Sequence, residues 1–438
     1  MLSGWGRFPQ LPCAVHMPRS QSELLALLQK GPLIGRGNGR GYGDCALNQT
    51  STVDMRRFNR MLAFDQTTGQ LVAEAGVLLA DVISTFLPRG WFPAVTPGTK
   101  FVTIGGMVAA DVHGKNHHRD GSFAAFVDWI DILCADGTIH RCSRDADCEL
   151  FAWTLGGMGL TGLIVRVAFR LRAVETGWIR QTTVLANDLD ATMALFERHA
   201  GANYSVAWID CLAGKSRLGR SVVTLGEHAR VAELPAKRRA GPFDTPHRSP
   251  HNVPFAPPVT PINHLTIKAF NTAYWHAKRL RQGEGLIDWD SFFYPLDALR
   301  NWNRMYGKRG FMQFQCVIPL AEAKAGLTRL LDAIRQSGQG SFLAVLKRFG
   351  AQSGPASFPM EGYTLALDFP VSLKNSALLE QLDRIVLDHG GRFYLAKDSR
   401  MTADTLHASD DRMARLQAMR AASGASLFRS SQSQRLAL

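Results

Sequence analysis

The sequence predicts a two-domain α+β protein, and three observations carry that reading. The chain has 438 residues, enough for two separate hydrophobic cores. Three glycine clusters alternate with strand-like runs in an N-terminal block, at 35–44, 97–123 and 154–164. From about residue 177 the pattern changes to strands and helices without such clusters.

The elements follow in order. SQSELLALLQK (20–30) reads as a short helix with Ser20 at its N-cap. PLIGRG and VDM are short apolar pieces on either side of the first glycine cluster. QLVAEAG reads as a strand, and LLADVISTFLPRG as an amphipathic helix stopped by Pro88 and Gly90. VDWIDILCADGTIHRC reads as two strands joined at Ala135–Asp136–Gly137. TLGGMGLTGLIVRVAFRLRAV runs from glycines into a strand. QTTVLANDLDATMALFERHA is a strand then a helix, and YSVAWIDCL is a strand. Residues 226–263 are rich in Pro, Arg and His and read as a long mobile loop. GFMQFQCVIPL, SFLAVLKRFG and GYTLALDFPV read as strands. LAEAKAGLTRLLDAIRQSG and ALLEQLDRIVLDHGG read as helices, the second closed by Gly390 and Gly391.

Composition narrows the function. Lys and Arg total 50 against 37 Asp and Glu, a net charge of +13, and the pI is near 9.7. That excess suits an anionic partner. No nucleic-acid motif accompanies it, so nucleic acid is not expected. No apolar run reaches the roughly 18 residues of a membrane span. MLSGWGRFPQLPC lacks the charged-then-apolar plan of a signal peptide. Seven cysteines, at 13, 45, 134, 142, 148, 211 and 316, form no C-x-x-C pair. They read as reduced core thiols of a cytoplasmic protein.

The first cluster, GRGNGRGYGD, fits neither common phosphate motif. Gly-x-Gly-x-x-Gly fails in every frame, because Arg40, Tyr42 and Asp44 occupy the sixth positions. No Gly-Lys-Ser/Thr ending makes a P-loop. The glycines still offer backbone N–H groups, with Arg36 and Arg40 adding charge, which suits a pyrophosphate. A surface turn is the plain alternative. In DVHGKNHH, His113, His117 and His118 have no Cys or carboxylate at finger-like spacing nearby, so no metal is expected. Gln313 and Gln315 lie two apart on a strand and face one side. Each amide needs partners if buried. Lys347 and Phe349 repeat that spacing. Lys397 could serve a site or pair with Asp398 at the surface, and Tyr294 could be ordinary core.

Taken together, GRGNGRGYGDCALN, PGTKFVTIGGMVAADVHGKNHHRDGSF, LGGMGLTGLI, GFMQFQCVIP, SFPMEGYTLALDFPV and GGRFYLAKDSR resemble one family. It is that of the decaprenylphosphoryl-β-D-ribose 2-oxidases, the flavoprotein subunits of a 2-epimerase, in the vanillyl-alcohol-oxidase superfamily. The matching stretches run from Gly35 to Arg400. The resemblance implies a PCMH-type FAD-binding fold with an antiparallel-sheet substrate domain. It implies an FAD domain over 1–176, a substrate domain over 177–391 and a segment, 392–438, returning to the FAD domain. The implied reaction is FAD-dependent oxidation of a secondary sugar hydroxyl to a ketone. The expected substrate is a polyprenyl-phosphoryl-β-D-ribose, and the reaction the first half of an epimerisation to the arabinose form for cell-wall arabinan. A short-chain dehydrogenase/reductase that reduces the keto-sugar is the implied partner, and peripheral placement at the inner membrane is compatible. An aldonolactone or alditol oxidase acting on a free sugar is the alternative enzyme, and a lipid-phosphate binder without turnover the alternative from another class.

The same resemblance implies the site. Gly37, Asn38, Gly39, Arg40, Gly41, Tyr42 and Gly43 would wrap the FAD pyrophosphate. Pro97, Gly98, Thr99, Thr103, Gly105, Gly106, Ala109, His113, Gly114 and Asn116 match a second cofactor loop. Gly157, Gly159, Thr161, Gly162 and Ile164 match a third. Many relatives in the superfamily link FAD to a His of the first loop. Here Gly39–Arg40–Gly41 stands there, which implies non-covalent FAD. Tyr294, Gln313, Gln315, Lys347, Phe349, Thr364, Ala366 and Lys397 match substrate-pocket positions. Lys397, His113 and Tyr394 would lie at the flavin, with Lys397 assisting the chemistry. Two positions depart from the mycobacterial pattern. Ala366 stands where those members have a cysteine that covalent inhibitors attack, and Thr364 where they have an Asn.

Overall fold

The computed structural model describes residues 1–246, 248–258, 260–352 and 354–438. Two sheets carry the molecule. The first is antiparallel and has six strands. Its order is Ile139–Ser143, Val127–Leu133, Leu163–Ala173, Gln70–Glu74 and Met61–Asp65, with Trp91–Pro93 paired to the far end of Leu163–Ala173. The helices Leu79–Phe86 and Ile104–Ala109 contribute to the core of this sheet through Leu79, Val82, Ile83, Phe86, Met107 and Val108. The first of these helices runs into a short turn with Pro88 and ends at Gly90 in the left-handed conformation, φ 82°. A three-stranded parallel sheet, Val15–His16, Thr52–Asp54 and Ile34–Arg36, lies beside it and launches the first glycine loop.

The second sheet has eight antiparallel strands. Their order is Gly283–Asp288, Trp178–Ala186, Ser221–His228, Tyr204–Ile209, Ala344–Phe349, Gly362–Pro370, Phe311–Pro319 and Arg392–Phe393. The helices Leu189–Arg198, Ala323–Ser337 and Leu373–Asp388 share one core with one face of this sheet. Met312, Phe314, Cys316 and Ile318 face that core together with Leu365, Leu367 and Phe369. Strand alternation therefore turns Gln313, Gln315, Thr364, Ala366 and Asp368 to the opposite face.

The strand and helix assignments made from periodicity correspond to elements here. The α+β fold class with glycine loops in the N-terminal block stands. Three differences have physical causes. Within 226–263, residues to His228 finish a strand, and Val231–Glu233 and Ala236–Arg239 form short helical turns. The Arg238 guanidinium lies 3.8 Å from the Trp178 ring, and Gly177 N–H donates to the Pro242 carbonyl at 3.0 Å. Proline density hid these local turns, whose partners are distant. The helix His264–Arg279, capped by Asn263, also escaped the sequence reading. Few of its residues are buried, so its apolar stripe is weak. Finally, not all cysteines are core thiols. Cys45, Cys142, Cys211 and Cys316 are buried, but Cys148 is exposed. All seven are free, and among the described residues no helix is long and apolar enough to cross a membrane.

The C-terminal residues tie the two sheets together. Arg392–Phe393 pairs with Cys316 and Val317, and Tyr42 N–H donates to the Ala396 carbonyl at 2.9 Å. Leu33 bridges to Phe428, and Arg435 pairs with both Asp44 (2.7 Å) and Asp398 (2.8 Å).

Candidate active site

The first glycine loop leaves the strand Ile34–Arg36 and runs closely against backbone. Gly39 has φ 63°, and a side chain on Gly43 would overlap the carbonyl of Asp398. Asn38 donates to the Phe101 carbonyl at 2.8 Å, fastening this loop to the second one. The second loop ends at Thr103, which caps the helix Ile104–Ala109 by accepting from Gly106 N–H. A Cβ on Gly105 would stand 2.7 Å from the Ala75 Cβ, so only glycine lets this helix sit on its strand. In the third loop Gly159 has φ 75°, and a Cβ on Gly162 would reach within 2.6 Å of Ile132.

The three loops enclose one cavity of about 330 Å³ with the polar face of the eight-stranded sheet. On the side of the glycine loops the wall contains Gly37, Asn38, Gly39, Arg40, Gly41, Tyr42, Pro97, Gly98, Thr99, Thr103, Gly105, Gly106, Ala109, His113, Gly159, Gly162 and Ile164. The sheet side supplies Gln313, Gln315, Lys347 and Ala366, and the chain returning from it supplies Tyr394 and Lys397. The strand register explains the gathering. Gln313 pairs with Asp368, Gln315 with Ala366, Val345 with Ala366 and Lys347 with Thr364. Directly paired residues share a face.

Eight expected positions lie outside the cavity wall. Gly43, Gly114 and Gly157 are held by close backbone or side-chain approach, to Asp398, Asn116 and Trp153 respectively. Asn116 donates to the Ala94 carbonyl and to Asp120, and Thr161 bonds Thr154 at 2.9 Å. These five shape the loops from behind. Phe349 stands behind His113, ring centroids 4.8 Å apart, and Thr364 donates to the Cys316 carbonyl at 2.8 Å. Tyr294 is buried against Trp289 and Phe293, its hydroxyl without a partner. Trp5, Asp297 and Trp302 line the cavity and were missed. Each arrives from a distant segment, with no glycine loop or strand alternation to mark it.

Electrostatics set the site apart from a dry core. Lys397 does not pair with Asp398, which is taken by Arg435 and by the N–H groups of Arg400 and Met401. Its ammonium sits 3.7 Å from the centre of the Tyr42 ring. Burial pulls its protonation below the ordinary lysine range, while Asp368 opposes that shift. Burial also lowers Lys347, to about 8. His113 is held neutral by burial and by the nearby Lys347. Its Nε2 lies 3.0 Å from the Gln315 amide nitrogen, which makes it the acceptor there. The Tyr394 hydroxyl donates to the Ala110 carbonyl at 2.9 Å, and its ring lies 5.0 Å from that of His113. His117 and His118 turn away, to Gln352 and the Ala202 carbonyl.

The cradle fits FAD. Glycines of all three loops bring bare backbone to the cavity wall, and the Arg40 Nε is buried without a partner. The Arg40 guanidinium lies over the ring of Trp5 at 4.0 Å, a cationic group presented to a phosphate.

Comparison with known proteins agrees with this geometry. The family described as FAD binding domain matches residues 12–143. The chain is 36% identical over 420 residues to the decaprenylphosphoryl-beta-D-ribose oxidase of Mycolicibacterium smegmatis, covering 93% of this chain and 90% of that one. The chain belongs to the decaprenylphosphoryl-β-D-ribose oxidase family. Other relatives match over fewer residues. The L-gulonolactone oxidase of Bos taurus is 29% identical over 34% of this chain and 33% of its own length. An uncharacterized protein of Streptomyces coelicolor is 33% identical over 80% of this chain and 97% of its own. As a member of the oxidase family, the protein is an FAD-dependent oxidoreductase of the PCMH type.

Proposed function

We propose that the protein oxidises the 2-hydroxyl of a polyprenyl-phosphoryl-β-D-ribose to a ketone, as the first half of an epimerisation to the arabinose form. The observation that carries this reading is the single polar face formed by Gln313, Gln315, Lys347 and Lys397 opposite three glycine loops. Amides there suit sugar hydroxyls, and two lysines suit a phosphate and a departing proton.

When bound, FAD supplies the two-electron acceptor for the carbinol hydrogen. The protein supplies the rest. Lys397, whose hold on its proton burial weakens, takes the hydroxyl proton or stabilises the developing alkoxide. Gln313 and Gln315 orient the sugar, and neutral His113 fixes the Gln315 amide by accepting its hydrogen bond.

A lipid carrier accords with the rim. Residues 251–254 are tied to 299–304: Val253 N–H donates to the Arg300 carbonyl, and Arg304 to the carbonyls of Val253 and Pro254. Trp302 of that stretch lines the cavity. Phe255, Leu265 and Leu280 are exposed, in a stretch of sequence that also carries Arg248, Lys268, Lys278, Arg279 and Arg281. Apolar groups flanked by cations suit a prenyl phosphate and an anionic bilayer surface. The keto-sugar product then requires a reductase, for which a short-chain dehydrogenase/reductase is the fitting class.

The test is incubation with prenyl-phosphoryl ribose and an artificial electron acceptor, followed by borodeuteride reduction. Deuterium at C2 of the sugar is expected. Unlabelled ribose, or a ketone formed only from free alditol or aldonolactone, overturns the reading.

A further inference from the structure

The strand Gly362–Pro370 carries one carboxylate on its cavity-side face, Asp368, with no solvent exposure. One of its oxygens accepts a hydrogen bond from the Gln313 amide directly across the strand pair. The other oxygen is buried and has no hydrogen-bond partner. An unsatisfied carboxylate oxygen in a dry wall is costly unless a cation faces it. The groups facing Asp368 are few. Gln313 lies opposite on its strand, and the hydroxyl-bearing rings of Tyr42 and Tyr306 and the ammonium of Lys397 are within electrostatic range. Lys397 is the only cation among them. The groups facing Lys397 are Asp368, Lys347 from the next strand, the Cys45 thiol and the Tyr42 ring. Asp398, its sequence neighbour, is engaged by Arg435.

We propose that Asp368 is the positioning residue of the site, fixing the Gln313 amide at the cavity wall and governing, by its charge, the protonation of Lys397. The Gln313 amide nitrogen donates to Asp368 and also reaches the Tyr42 hydroxyl, whereas Gln313 Oε1 is buried and unpartnered, left for a donor in the cavity. A substrate hydroxyl supplies that donor. Through Lys397 the same carboxylate sets the pH at which the proton-accepting group is ready.

The inference rests on Lys397 acting at the reacting hydroxyl, and the experiment separates the two. Asp368→Asn keeps the size and the bond from Gln313 and removes the charge. An anionic neighbour favours the charged lysine, so its removal lets Lys397 lose its proton at lower pH. The ionisation limb in the pH profile of anaerobic flavin reduction should therefore move down by about one unit or more, with FAD content unchanged. A profile superimposable on wild type overturns the inference. If Lys397→Ala is slow and the Asp368→Asn limb stays put, only this inference fails. If Lys397→Ala is reduced at the wild-type rate, the reading beneath it fails. Infrared difference spectra of Lys397→Met decide the same point without altering Asp368. Without the lysine, the carbonyl band of a protonated buried carboxyl should appear at a pH where wild type lacks it. Identical spectra overturn the inference.

Discussion

Lys397 carries the heaviest burden of any single residue. Its ammonium touches the Tyr42 ring, lines the cavity and lies on the chain returning from the eight-stranded sheet to the glycine loops. Replacing it with alanine should leave FAD content intact and slow anaerobic flavin reduction. Losing a positioned acid–base group costs about 10²–10⁴ in rate, and losing a preorganised electrostatic donor about 10²–10³. Reduction within about three-fold of wild type, far short of those losses, would reduce Lys397 to a structural lysine. Lys347 makes a pH prediction. Its folded value, about 8, lies below that of a free lysine, so it is charged below that pH and loses its charge as pH rises through it. If it holds the substrate phosphate, KM for prenyl-phosphoryl ribose should rise above about pH 8. Lys347→Met should raise KM at neutral pH and flatten that dependence; an unchanged KM contradicts the assignment. Ala366 borders the cavity beside Gln315. Ala366→Cys should therefore form a mass adduct with nitroso-forming electrophiles directed at the site, while the natural chain should not. No adduct would place this strand in the wrong register. At this scale the sequence was legible where a period marked it: Gln313, Gln315 and Lys347 follow from strand alternation. Asp368 sits on the same strand as Ala366 but carried no mark, because its meaning comes from Lys397 on a different segment. Trp5 and Asp297 were invisible for the same reason.

The glycine loops act as elements, and their function is close approach. A methyl group on Gly43 would meet the backbone of Asp398 and Ser399, which cannot yield as a flexible side chain does. Gly43→Ala should lower stability by about 1–3 kcal/mol, the usual cost of overpacking, and speed FAD loss on dilution. Normal melting and normal FAD retention would contradict this. Thr103 caps the helix under the second loop, so Thr103→Val should cost about 1 kcal/mol and weaken FAD retention with it. The elements themselves were largely readable. QLVAEAG, VDWIDIL and GFMQFQCVIP alternate or run apolar over strand lengths, and Ser20 and Gly90 stand at real helix ends. The helix His264–Arg279 was not readable, since only Ile267, Asn271 and Trp275 are buried and the stripe is narrow.

At the scale of the molecule, the three glycine loops and the eight-stranded sheet share one cavity. Arg40 in place of a linking histidine leads us to expect FAD to dissociate. Acid precipitation should release all the flavin to the supernatant, and a yellow pellet would contradict that. Excess FAD should raise the melting temperature by mass action. Lys115 and Lys347 are both lowered by burial, to about 7 and about 8. The unfolded chain holds these protons up to about pH 10. Stability of the apoprotein should therefore rise with pH between about 7 and about 10, and the rise should shrink in Lys115→Met. The central claim is that this cavity oxidises a lipid-linked ribose. Its most direct test is rapid anaerobic mixing of the oxidised holoenzyme with prenyl-phosphoryl-β-D-ribose, free ribose, an alditol and an aldonolactone in parallel, following flavin absorbance. The account predicts bleaching by the prenyl-phosphoryl ribose at concentrations where the other three leave the flavin oxidised. Bleaching by the alditol or the aldonolactone, with the prenyl-phosphoryl ribose inert, would contradict it.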